Sequence, residues 1–171
     1  MSGIFGMNIK MAIYGESHGK SIGVVLDGLP PGLALDEAAI AAEMARRAPG
    51  QNALSTARKE SDMVEIQSGF FNGFTTGTPL CARIVNSDQH SKDYSILADK
   101  MRPGHADYAG HVRYQGFNDY RGGGHFSGRL TAPLVFAGAV AKQALAQYGI
   151  VVGSHILQIN DCLLYTSDAA D

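Results

Sequence analysis

The alternation of apolar and polar positions divides the chain into a small set of elements. Residues 22–29, IGVVLDGL, are β-branched and apolar and run into Pro30-Pro31-Gly32, which predicts a strand ending at that turn. Asp36 then stands where it can cap a helix over EAAIAAEMARRA. Ile40 and Met44 share one face of that helix, Arg46 and Arg47 lie in its last turn where the helix dipole favours cations, and Pro49-Gly50 stop it. QNALSTARKESD has no apolar period and reads as an exposed, charged loop. Two alternating runs, MVEIQSGFFNG and TPLCARIVN, are joined by GFTTG and predict an antiparallel pair.

Residues 87–129 form a long polar connection with little period of its own. Segments of that length inside compact domains are functional or disordered. Tyr94, Tyr108, Tyr114, Phe117, Tyr120 and Phe126 are spread through it, which favours an ordered binding surface over disorder. Thr131 is expected to cap the next helix, with Pro133 in its first turn. LVFAGAVAKQALAQYG is apolar on nearly every side, so that helix is predicted to be buried. IVVGSHILQIN reads as a final strand. No internal repeat is seen, and the sum is an α+β fold with helices packed on mostly antiparallel sheet.

Composition narrows the picture further. A chain of 171 residues, 45% hydrophobic and 18% charged, suffices for one domain with one core. A net charge of −2 gives no whole-molecule field for nucleic acid, so attraction to an anion must come from local clusters of arginine and lysine. Two cysteines, Cys81 and Cys162, are too few for a disulfide framework or a zinc site, which fits a reducing, cytoplasmic setting. The first residues lack a basic leader and no run of eighteen apolar residues occurs, so neither a secretion signal nor a membrane span is expected.

Three segments carry candidate chemistry: GESHG at 15–19, RPGHAD at 102–107 and DYRGGGHFSGR at 119–129. Each sets a histidine beside glycine, and two add arginines. Guanidinium forks bind phosphate or carboxylate, glycine-rich backbone offers unobstructed N–H donors, and histidine moves a proton near neutral pH. Plainer readings stand beside this one. His90 and His111 read as surface residues and His155 as a hydrogen-bonded structural residue. RGGGH reads equally as a surface turn, since it lacks the Lys-Ser/Thr ending of a phosphate loop. His18, His105, His125 and Asp107 are conceivable metal ligands, but no His-x-x-x-His spacing supports a metal site and none is expected. From pattern alone the chain is a soluble α+β domain that binds a small anion.

Taken in order, GESHGKSIGVVLDGLPPGL, RRAPG, ARKESDMVEIQSGFFNGFTTGTPL, NSDQHSKDY, RPGHADY and DYRGGGHFSGRLTAPLVFAGAVAKQAL resemble chorismate synthase from Tyr14 to about Ile150. The resemblance implies a β-α-β sandwich of antiparallel sheets enclosing helices, of which this chain holds about the first half. It also implies a homotetrameric parent. The implied reaction removes phosphate and a ring proton from enolpyruvylshikimate phosphate across a trans-1,4 relationship, with reduced FMN required and NADPH as a possible reductant. By resemblance, His18 donates a proton to the departing phosphate and His105 stabilises the reduced flavin. His125, Phe126 and Ser127 fall where the family contacts FMN, and Arg47 matches an anion-contacting position. Arg46, Arg102, Arg129 and Ser17 are further candidates for the substrate. The chain departs from the family pattern at Ala48 and Ala53, where arginines are common, at His125, which replaces a cation, and at Leu130, which replaces a carboxylate.

Full family members run about twice this length, so the chain alone is expected to be inactive. The last ten residues, CLLYTSDAAD, leave the family pattern and back-translate to a string like a transposase-type sequencing adapter. Residues 1–161 are therefore expected to be the amino-terminal part of one chorismate synthase domain, and 162–171 a non-native tail.

Overall fold

Ser21–Asp27 (β3), the strand with the most buried residues, lies in the middle of the sheet. A computed structural model describes residues 3–48, 62–87, 94 and 97–163. The main sheet is antiparallel, in the order β1-β2-β3-β7-β4. It is built from Ile4–Phe5 (β1), Lys10–Gly15 (β2), β3, Val64–Ser68 (β4) and Leu80–Val85 (β7). A small hairpin of Phe70–Phe71 (β5) and Phe74–Thr75 (β6) links β4 to β7.

Register explains the core. Ile22, Val24 and Leu26 of β3 stand opposite Ile84, Ala82 and Leu80 of β7, so one face of both strands is lined by buried apolar side chains. Thr131–Ala146 (α3) lies on that face with Phe136 and Val140 inward, and Glu37–Arg47 (α1) packs beside it through Ile40 and Met44. The predicted cap is present: Asp36 Oδ1 accepts from the amides of Ala38 at 2.9 Å and Ala39 at 3.0 Å. Gln143 of α3 grips the same cap. It accepts from Asp36 N at 2.8 Å and donates to Asp36 O at 3.0 Å.

The α+β class, α1, β3 and the antiparallel pairing of β4 with β7 are as the sequence predicts. Pro49, Gly50 and most of the charged loop lie outside the described residues. Other elements differ. β1 and β2 form strands that the pattern did not announce, and the long connection contains a helix at Asp107–Arg113 (α2) and 3-10 turns at Arg121–Phe126 and Gly128–Leu130. Thr131 is not the cap of α3 but its first residue. The 3-10 turn runs straight into the helix, and the Thr131 hydroxyl donates back to Gly128 O at 2.6 Å. Nor is α3 buried all round, since Leu134 on its far side is 43% exposed.

The expected final strand is largely absent. Residues 150–157 are irregular and exposed, His155 among them, and only Gln158–Ile159 (β8) pairs with Cys162–Leu163 (β9). Strand propensity expresses itself only where a neighbouring strand and a packing face accept the side chains, and the five-stranded sheet does not include this run.

Candidate active site

The turn between β2 and β3 carries the first candidates. Gly19 N donates to Glu16 O at 3.0 Å, closing a tight turn with Ser17 and His18 at its centre. Both central residues are buried, His18 to 5% exposure. The burying surface is the triple-glycine run, whose φ angles of +58° at Gly122, +84° at Gly123 and +54° at Gly124 belong to the left-handed region. A Cβ at Gly122 would sit 2.3 Å from His18 Cε1, and one at Gly124 2.0 Å from Asp119 O, so no side chain fits at either position. Two bonds lock the segments together: Ser17 N donates to Gly124 O at 3.0 Å, and His125 Nδ1 to Gly15 O at 2.8 Å. Tyr94 meets the His18 ring edge-on, with centroids 4.8 Å apart.

Behind the turn lies a buried ionic network. Arg129 donates from one terminal nitrogen to Asp62 and through Nε to Asn86 Oδ1 at 3.2 Å. Arg47 donates to the other Asp62 oxygen at 2.5 Å. Asp62 is completely buried, and each of its oxygens meets one guanidinium. Asn86 in turn donates to Glu16 O at 3.0 Å and Gly19 O at 2.9 Å. Asp62 and Asn86 were not among the sequence candidates, although each flanks an apolar strand run, where a short polar side chain is well placed to bridge elements.

The RPGHAD segment reaches the same corner from the other side. Arg102 grips Asp107 in a fork, Nε to Oδ2 at 2.8 Å and a terminal nitrogen to Oδ1 at 3.0 Å. The hydrogen bond from Arg102 holds the Asp107 carboxyl below its ordinary range, with a smaller contribution from the charge of His105. A Cβ at Gly123 would stand 3.5 Å from the Arg102 guanidinium, so this ion pair abuts the glycine run. His105 itself is exposed, two residues before Asp107. A cavity of about 120 Å³ lies beside the pair, lined in part by Met101, Asp107, His111 and Tyr120. Arg121 similarly forks onto Asp119 at 2.9 and 2.7 Å and lowers the pKa of that carboxyl, with His18 adding a minor effect.

The glycine run thus brings together Ser17, His18, His125 and Arg102, with Arg129 and Arg47 behind and His105 at the rim. Phe126 is exposed, with its ring 6.2 Å from that of His125 and 6.1 Å from that of Tyr114. Ser127 accepts from Arg129 N at 3.3 Å, fixing the start of the 3-10 turn. Arg46 is placed elsewhere: its side chain is 75% exposed and pairs with Glu43 on its own helix. Among the described residues no three His, Cys, Asp or Glu side chains are grouped to hold a metal ion, and no helix is long and apolar enough to cross a membrane.

This corner is built from the same segments that carry the resemblance noted above, and the family model for chorismate synthase matches residues 9–170. The chain belongs to the chorismate synthase family. Among curated chorismate synthases it is 48% identical to that of Cytophaga hutchinsonii over 166 residues, 97% of this chain and 46% of that one. It is 52% identical to that of Sulfurimonas denitrificans, over 91% of this chain and 43% of the relative. A solved structure described as a crystal structure of chorismate synthase aligns over 92% of this chain and 40% of its own, with a TM-score of 0.65 and 29% identity. The chain therefore spans less than half the length of the chorismate synthases it matches.

Proposed function

We propose that these residues supply the amino-terminal wall of a chorismate synthase active site, a carbon-oxygen lyase that eliminates phosphate from 5-enolpyruvylshikimate 3-phosphate to give chorismate in aromatic amino acid biosynthesis. The observation that carries the reading is the seating of His18 against Gly122, with Arg102 abutting the neighbouring glycine. An imidazole held at one position beside guanidinium groups is suited to meet a phosphate and protonate its oxygen as the carbon-oxygen bond breaks. General acid catalysis of this kind is commonly worth about 10²- to 10⁴-fold in rate. Arg102, 31% exposed at its side chain, is a guanidinium that an anion can reach from solvent. Arg129, almost wholly buried, acts on the turn from inside.

What fits a flavin is the adjacency of the exposed His125 and Phe126 rings to Ser127. His125, Phe126, Ser127 and Arg47 would hold reduced FMN, with NADPH as its possible reductant. Bound there, the flavin would supply transient electron density to an elimination that has no net redox change. His105 at the rim would offer a cationic partner to an anionic ring. The reading extends to a cytoplasmic homotetramer, to residues 162–171 as a non-native tail, and to a chain that is inactive by itself.

Anaerobic assay with reduced FMN tests this. The 171-residue chain should release neither phosphate nor chorismate, whereas residues 9–161 grafted onto the carboxyl-terminal part of a full-length relative should do both. A graft that folds and binds FMN without turnover would favour a second reading, a binding module that retains the fold and not the chemistry.

A further inference from the structure

We propose that Asn86 is the positioning residue of the His18 turn, holding both of its ends through one amide and tying them to the buried Arg129–Asp62 pair. The inference deepens the reading of His18 as proton donor and rests on that reading only for its kinetic consequence. Asn86 is the first residue past β7, and Ser21 pairs with Val85, so Asn86 falls opposite the turn preceding β3. Its backbone N donates to Lys20 O at 3.2 Å, one step beyond the ladder. From there the side chain reaches across the mouth of the turn, and its two amide protons go to Glu16 O at 3.0 Å and Gly19 O at 2.9 Å. These are the residues on either side of Ser17 and His18. Oδ1 accepts from Arg129 Nε at 3.2 Å.

The chemistry selects asparagine. One nitrogen must donate twice, which a hydroxyl or a carboxylate cannot do, and one oxygen must accept from a guanidinium, which no cation can do. The amide orientation is fixed by its surroundings: a flip would set oxygen against two carbonyls and NH2 against the guanidinium. Asn86 is itself 5% exposed, so water does not readily replace these bonds. The turn's own closure, Gly19 N to Glu16 O, fixes its width but not its direction. Direction comes from Asn86 on one side and the Ser17–Gly124 bond on the other, and His18 meets Gly122 between them. Asn86 touches neither imidazole nor substrate in this account, and acts through the backbone.

The decisive measurement is the nuclear Overhauser contact between His18 Hε1 and the Gly122 α-protons in the 171-residue chain. Asn86→Leu, which removes all three bonds at similar volume, should abolish it while the β2–β3 cross-strand contacts persist. Should the leucine protein fail to fold, Asn86→Asp decides. It keeps the bond from Arg129 and sets an oxygen against the turn carbonyls, and should lose the same contact. In the full-length graft, Asn86→Asp should lower kcat on the order of 10²-fold with KM little changed, as expected for a misplaced catalytic group. A folded variant that keeps both the His18–Gly122 contact and kcat overturns the proposal. A folded graft inactive with Asn86 intact would count against the proposed function, and the proton contact alone would then decide whether Asn86 positions His18.

Discussion

The two histidines that frame the corner are held in different ways. His18 sits in a buried turn fixed by β2, β3, the glycine run and Asn86, so its ring has one place to be. His105 is exposed just ahead of α2, two residues before Asp107, whose pair with Arg102 adjoins the corner. A proton donor gains from a fixed ring and a dry wall, because both sharpen the geometry of transfer. A group that adjusts to a bound ring system gains from freedom. On the proposed reading, the contrast means that this chain pre-builds the His18 side of the corner and leaves His105 exposed.

Asp62→Asn should break the comparison most severely. It leaves two guanidinium groups facing a neutral amide in the interior behind the His18 side, and breaking such buried pairs costs about 3–5 kcal/mol. Chemical denaturation should register that loss, while a protein of unchanged stability would mean that the network is not a structural support. Gly122→Ala comes next, because a left-handed residue gains a Cβ against the imidazole; the backbone alone costs about 1–2 kcal/mol, and displacement of His18 adds to it. Gly128→Ala, with open space at its Cβ position, is the control and should change stability by less than about 0.5 kcal/mol.

On the His105 side, Asp107→Asn should cost only about 1 kcal/mol, since Arg102 remains partly solvated. Its clearer signature is in acid. The folded protein holds the Asp107 carboxyl below its ordinary range, so the unfolded chain binds that proton first as pH falls. The stabilisation is complete above the ordinary pKa of about 3.9 and is lost as pH drops through the lower, folded value. Asp119, depressed mainly by its bond to Arg121, adds in the same direction. Urea titrations across this range should show a shallower acid loss in Asp107→Asn, and equal slopes would deny the pair its role. Arg46→Ala should do least, within about 0.5 kcal/mol, because its partner is one turn away on the exposed face of α1.

What the sequence makes legible follows the range of the forces involved. Asp36, Ile40 and Met44 announce α1 because capping and amphipathic spacing act within a few residues. The alternation of β4 and β7 announces a pair but not their places in the sheet, which depend on β3 lying beside β7. α2 is hidden because its seven residues, DYAGHVR, bury only Gly110 and so carry no apolar stripe. The run at 150–160 looks like a strand because β-branched residues signal propensity, and propensity does not supply a neighbour. At the candidate site, glycine and histidine spacing brought out three segments that the fold gathers at one corner. Asn86 and Asp62 escaped because their meaning lies in contacts with Glu16, Gly19 and Arg129, which are 43 to 70 residues away.

Gly23 stands opposite Tyr14 in the β2–β3 ladder, and a Cβ there would fall 2.3 Å from the Tyr14 hydroxyl oxygen. The phenol therefore lies flat across β3 and donates to Ala82 O on β7 at 3.3 Å, so one ring spans three strands. Burial, then the neighbouring Cys81, raises its pKa above the ordinary tyrosine value. In a protein without tryptophan, delayed ionisation of this phenol gives an intrinsic ultraviolet gauge of whether the centre of the sheet is intact.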